Sequence, residues 1–202
     1  MSYENYDLQE NDPYLIAGST CLLNSLGILD TQLLNEAEKD ISAAAYAELI
    51  LSPVPPTFDM AHLRQIHKRL FGDIYPWAGE VRTTEIAKGN KLFLPYRLVA
   101  STLEAVFEEL RQEAFLKGLP PLSFAQRAGY YLGRINAIHP FREGNGRTQR
   151  ILIDQLAELS GYAFQWDAIS GEQMAAACRQ ARMDDPDFTA VERLLQLHII
   201  DL

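Results

Sequence analysis

His139-Pro140-Phe141-Arg142-Glu143-Gly144-Asn145-Gly146-Arg147-Thr148-Gln149-Arg150 is the stretch that decides how this chain is read. Gly144 and Gly146 let the backbone turn tightly and bring N–H groups close to a ligand with no Cβ in the way. Asn145 between them tolerates unusual φ/ψ angles. Consecutive amides at such a turn form an anion nest, and a helix starting there adds its positive dipole end. That helix is legible: Ile151, Leu152, Leu156 and Leu159 recur at helical spacing, and Gly161 supplies a stop.

The charged residues have matching uses. Arg147 and Arg150, three apart, occupy neighbouring positions on the first turns of the helix and can fork onto phosphate oxygens. Glu143 could hold one Mg²⁺, with the remaining ligands supplied by phosphates and water. His139 stands four residues earlier, and Pro140 and the glycines keep the two off one helix. A loop must therefore carry both to one mouth. Singly, each feature is common: a glycine loop before a helix, a histidine beside a proline, two surface arginines. Their ordered combination is not, and every member suits a nucleoside triphosphate.

Outward from this run, the chain reads as helices. Phe124, Ala128, Tyr131, Ile135 and Ile138, behind a Ser123 cap, make a core helix that delivers His139 at its end. Asp30 caps a helix through Leu51 with Leu34, Ala37, Ile41 and Ala45 on one face. Asp59 caps another, with Met60, Leu63, Ile66 and Leu70 inward and His67 beside them as a core histidine. Ser19 to Leu26 reads as a short helix, Arg97 to Lys117 as a long one with Ala114 inward, and Gly171–Met183 and Pro186–Ile199 as the last two. The helical period fails over 81–95, where Lys88-Gly89-Asn90-Lys91 signals a hairpin turn. Residues 1–12 hold four acids and no base and read as a mobile arm, with 13–202 as one domain. The fold class is all-α: a helical bundle with one β-hairpin.

Composition limits the functions. Hydrophobic residues make up 48% of 202, enough for a sizeable core. A net charge of −9 argues against a general nucleic-acid binder, though not against a nucleotide. No apolar run reaches the roughly 18 residues of a membrane span, and the acidic start is not a signal peptide. Cys21 and Cys178 lack metal-ligand spacing and read as small core residues of a reducing compartment or as one disulfide; the first reading, which is preferred, leads to an expected cytoplasmic location.

The run matches the Fic family signature His-x-Phe-x-(Asp/Glu)-Gly-Asn-Gly-Arg-x-x-Arg at every fixed position. Phe71 to Arg82 and Ile86 to Phe93 resemble the same family, so the resemblance spans roughly residues 12 to 161. It implies transfer of AMP from ATP to a Ser, Thr or Tyr hydroxyl of a target protein. On that resemblance His139 takes the hydroxyl proton, and Gly144, Asn145 and Gly146 hold the α- and β-phosphates. Glu143 holds Mg²⁺, Arg147 and Arg150 neutralise the β- and γ-phosphates, and Phe141 anchors the loop. Residues Glu85, Ile86, Ala87, Lys88 and Gly89 lie in the element the family calls the flap, an edge on which a target segment would dock.

The family's usual inhibitory segment, Ser/Thr-x-x-x-Glu-Gly/Asn, has no match: Glu4-Asn5 and Glu10-Asn11 lack the Ser or Thr, and Glu143-Gly144 is the motif itself. The chain thus resembles the toxin branch, whose inhibitor is a separate small antitoxin with an inhibitory helix. The resemblance also points to a type II topoisomerase subunit as target. The rivals are reversed-nucleotide phosphotransfer, whose branch carries Lys at the place of Gly146, transfer of another nucleotide, and a non-catalytic nucleotide-binding regulator.

Overall fold

The computed structural model describes residues 12–88, 91–181 and 186–202. Helix α1 (Thr31–Leu51) starts where the Asp30 side chain accepts from the Leu33 amide at 2.9 Å. Helix α2 (Met60–Phe71) starts at Asp59 in the same way, with the His62 amide at 2.8 Å. Strands β1 (Ala87–Lys88) and β2 (Lys91–Leu92) form a small antiparallel hairpin. Then follow α3 (Tyr96–Gln112), α4 (Pro121–Ile138), α5 (Asn145–Glu158), β3 (Tyr162–Phe164), α6 (Gly171–Gln180), α7 (Thr189–Gln196) and β4 (Ile199–Asp201).

Helix α4 is the axis. Phe124, Ala125, Ala128, Tyr131, Leu132, Ile135 and Ile138 are all buried, and the helix packs against α3, α5, α6 and α7. Its contact with α7 is backbone to backbone: a Cβ on Gly129 would sit 2.5 Å from the Glu192 Cα. Only glycine permits that approach. The expected bundle and hairpin are therefore present, and the central helix holds the motif loop at its C-terminal end.

Several local expectations fail for identifiable reasons. Residues 19–26 form turns and a Leu15–Leu22 bridge, not a helix. The Asn24 side chain takes over the local backbone there: Oδ1 accepts from the Leu26 and Ile28 amides, and Nδ2 donates to the Leu22 and Ile28 carbonyls. The buried face of α1 is Leu34, Glu38, Ser42 and Leu49; Ala37, Ile41 and Ala45 are only half-buried. Helix α3 stops at Gln112, and Ala114 is exposed in a 3₁₀ turn where residues 114–116 all have positive φ. That turn drives Leu116 into the core. Helix α4 begins at Pro121 instead of behind Ser123, because proline fits the first helical position.

The C-terminal region is not purely helical. Strands β3 and β4 pair antiparallel, with Tyr162 opposite Asp201 and Phe164 opposite Ile199. Helix α6 ends at Gln180, short of Met183, which lies outside the described residues, and α7 starts at Thr189 instead of Pro186. Of the expected arm, residues 1–12, residues 1–11 also lie outside them, and its last residue, Asp12, is not mobile but buried and ion-paired with Arg142. Cys21 and Cys178 are not joined in a disulfide.

Candidate active site

The motif loop is tied down from several sides. His139 closes α4 in the left-handed conformation, φ 53° and ψ 67°, and its N–H donates to the Ile135 carbonyl at 3.0 Å. Such a backbone costs on the order of 1–3 kcal/mol outside glycine and persists only when its surroundings over-determine it. Here they do. The Asn145 side chain turns inward, accepts from the Phe141 N–H at 2.9 Å and donates to the Phe141 carbonyl at 2.8 Å. The Phe141 ring is buried and stacks on His67 with centroids 3.9 Å apart. His67 Nδ1 accepts from the Gly79 N–H at 2.8 Å, so its Nε2 carries the proton and donates to the Glu143 carbonyl at 2.9 Å. Burial holds the His67 pKa down to about 3, which keeps the ring neutral. Arg142 Nε donates to Asp12 at 2.9 Å, both side chains buried.

His139 itself is buried, at 2% exposure. Its Nδ1 lies 3.2 Å from the Asn136 carbonyl, which can only accept. In the neutral form of the ring the proton is then on Nδ1 and the lone pair on Nε2. The Phe93 ring stacks over the imidazole, centroids 3.9 Å apart and planes 26° from parallel.

The start of α5 follows at once. Gly144 is the N-cap, with φ 77°, and a Cβ there would collide with the Phe71 ring. Gly146 is different. It is exposed, and a Cβ on it would meet no protein atom within 4 Å. The fold does not need glycine at 146, and the helix start is open on that side. Glu143 Oε1 accepts from the Gly144 N–H at 2.8 Å.

Arg147 is held from α1. Its Nη1 donates to Ser42 Oγ at 2.8 Å, Nη2 pairs with Glu38, and the guanidinium lies 4.6 Å above the Phe71 ring. Glu143 Oε1 stands 3.9 Å away. Glu38 is 1% exposed and also accepts from the Tyr75 hydroxyl. Burial and then the Glu38 charge push the Tyr75 phenol up, so it stays a donor. Arg150 is half-buried; burial first, and the Arg147 charge second, lower its pKa, while Asp154 opposes them. Two guanidinium groups close together on one helix start can receive a polyanion.

Among the described residues no three His, Cys, Asp or Glu side chains cluster as a metal site. Glu143 offers one carboxylate, with Oε1 already engaged by an amide. That donor set suits an ion that arrives with phosphates and water as its other ligands, the habit of Mg²⁺.

The hairpin reaches over the His139 side of this site through Phe93, yet its paired part is short: Ala87 opposite Leu92 and Lys88 opposite Lys91. Phe93 N–H donates to the Ile86 carbonyl at 3.0 Å. Of the five docking candidates, Ile86 points inward against Phe93 and Glu85 accepts from the Tyr96 amide at 3.2 Å. Ala87 and Lys88 are half-buried in β1, and Gly89 lies outside the described residues.

Residues 57–157 match the Fic/DOC family. The chain belongs to that family. It is 40% identical over 88% of its length to protein adenylyltransferase VbhT of Bartonella schoenbuchensis, of which it spans 37%. It is 35% identical to the probable protein adenylyltransferase Fic of Escherichia coli, covering 86% of each chain. A solved Fic domain of Bartonella quintana with bound ADP superposes with a TM-score of 0.87, 28% identity and 94% of this chain covered, 95% of that one. The BepC protein of Bartonella tribocorum, with bound AMPPNP, gives 0.86, 27%, 94% and 97%. These Fic relatives share the helical architecture with its hairpin.

The sequence named the residues of the Fic motif, and the structure brings His139, Glu143, Gly144, Gly146, Arg147 and Arg150 to one end of α4 and α5. It missed their supports. Glu38 and Ser42 did leave a signal: two polar residues four apart on the buried stripe of α1. Arg82 and Phe93 lay within the segments resembling Fic but carried no pattern that assigned them a task. No helix among the described residues is long and apolar enough to cross a membrane.

Proposed function

We propose that this chain transfers AMP from ATP to a hydroxyl side chain of a target protein. The observation that carries this reading is the His139 Nδ1 contact to the Asn136 carbonyl, which presents Nε2 as a base beside a helix start flanked by two arginines. The hydroxyl oxygen attacks the α-phosphorus, the bond to the bridging β-oxygen breaks, and pyrophosphate leaves. His139 Nε2 takes the hydroxyl proton, a task suited to an imidazole near neutral pH. Gly144 to Gly146 cradle the phosphates through backbone N–H groups, and Arg147 and Arg150 bind the departing end. Glu143 would hold Mg²⁺, which when bound neutralises phosphate charge. The protein's own contribution is positioning and electrostatics.

The named activities of the relatives support the reaction class, and the ADP and AMPPNP in the neighbouring structures support the nucleotide. Incubation with α-labelled and γ-labelled ATP and a cell lysate tests it. Label entering protein from the α-position alone is expected. Label from γ would mean phosphotransfer, and label from neither a binding role only.

The finer reading is a toxin held by a separate antitoxin. Glu38, the buried carboxylate at this site, engages Arg147; on the family resemblance, the antitoxin would bring a carboxylate to Arg150 in the place of the γ-phosphate. Expression of the chain alone should arrest growth, and His139→Ala should cure the arrest. A type II topoisomerase subunit is the first target to assay.

A further inference from the structure

Arg82 is the largest fully buried side chain, at 1% exposure. A guanidinium out of water is tolerated only when its N–H groups and its charge are satisfied. Its Nε donates to the His139 carbonyl at 2.8 Å and Nη2 to the Ile138 carbonyl at 3.2 Å. Its backbone N–H donates to the Pro140 carbonyl at 2.8 Å. Three consecutive carbonyls at the end of α4 thus converge on one residue. Further side-chain bonds go to the hairpin: Nη1 to the Thr84 carbonyl at 2.8 Å, and Nη2 to the Leu94 carbonyl. Glu85 Oε2, 3.8 Å from Nη1, supplies a counter-charge.

This arrangement answers two needs at once. The last carbonyls of a helix have no intrahelical donor and lie at its negative dipole end, where a cation is favoured. The left-handed turn at His139 needs something to hold it, and its carbonyl is held by Arg82. The same planar fork grips one carbonyl on each side of the hairpin root. A lysine has three donors on a single nitrogen and no fork, so it could not span these acceptors.

We propose that Arg82 is a positioning residue for the transfer: it locks the His139 turn and fastens both sides of the hairpin root to it. The base and the strand on which a target would dock then share one frame. This rests on the reading of His139 as base and the hairpin as docking edge.

The test compares Arg82→Lys with the wild type, both checked for folding by circular dichroism. Three quantities are measured: ATP affinity by calorimetry, the rate of lysate labelling from α-labelled ATP at saturation, and the histidine ring NMR signals. The four histidines are assigned by single substitution. ATP affinity is expected within about twofold, while the rate falls about 10²-fold, as a small misplacement of a reacting group does. The His139 signal should shift or broaden and those of His62 and His67 should not. A folded Arg82→Lys with a wild-type rate and an unmoved His139 signal overturns the proposal. The NMR arm stands even if the wild type labels nothing, an outcome that would count against the transferase reading alone. Should Arg82→Lys fail to fold, the wild type decides. Its Arg82 Nε–H should exchange with solvent as slowly as the Phe93 amide, and rapid exchange would overturn the proposal.

Discussion

The loop between α4 and α5 and the β1–β2 hairpin lie against each other through Phe93 and His139, yet they are built in opposite ways. The loop is fixed by buried bonds from distant parts of the chain, from Asp12, His67 and Arg82, and is closed locally by the Asn145 side chain. The hairpin beyond its root has two residue pairs, and Leu92 in β2 is 65% exposed. Chemistry that tolerates little misplacement sits in the over-determined part. A target segment, whose shape varies, would meet the part that can adapt. On the proposed mechanism, pre-organisation is concentrated where charge would develop during the reaction.

The largest effect expected from this contrast is at the base. His139→Ala should lower transfer by about 10²–10⁴-fold, with ATP affinity unchanged in calorimetry, because the ring handles a proton and need not hold phosphate. Near wild-type labelling by this variant would remove His139 from the mechanism.

Next comes the rigidity of the loop. Gly144→Ala places a Cβ against the Phe71 ring at a position with φ 77°. Overpacking and left-handed strain together should cost about 2–4 kcal/mol, read as a lower denaturation midpoint. Gly146→Ala meets no protein atom. It should leave the midpoint nearly unchanged while weakening ATP binding. Equal midpoints for the two variants would refute the different roles assigned to the two glycines.

A pH effect sharpens the same point. His67 has a folded pKa near 3, below its ordinary value, so the native state refuses a proton that the unfolded chain accepts below about pH 6.5. Its contribution to stability is present above that pH and is lost as pH falls toward 3. His67→Gln should lessen the drop in thermal midpoint between pH 6.5 and 4 relative to wild type. An unchanged drop would mean that the acid sensitivity lies elsewhere.

The smallest effect is expected at the hairpin. Ala87→Pro removes an edge N–H and should raise the KM for a protein target a few-fold without touching ATP affinity. If target KM is unmoved in a folded variant, the hairpin serves Phe93 and the site, not docking.

The parts of this molecule that were legible in the sequence depended on local rules. Asp30 and Asp59 announced their helices because capping is decided within one turn. The glycine-rich run announced a helix start for the same reason. What stayed hidden depended on tertiary contact. Glu38 shares a helical stripe with Leu34 and Ser42, but its task appears only when Arg147 and Tyr75 reach it across 109 and 37 residues. Strands β3 and β4 are three residues each and pair across the length of two helices, so periodicity had too little to register. Asn24 defeated a helical pattern by bonding its own neighbours.

A crystal structure with a non-hydrolysable ATP analogue tests the central claim most directly. The β- and γ-phosphates are expected over the start of α5 near Arg147 and Arg150, with the α-phosphorus facing His139 Nε2 and open to the hairpin side. A nucleotide bound in reverse, with its γ-phosphorus at His139, would contradict AMP transfer and make the chain a phosphotransferase.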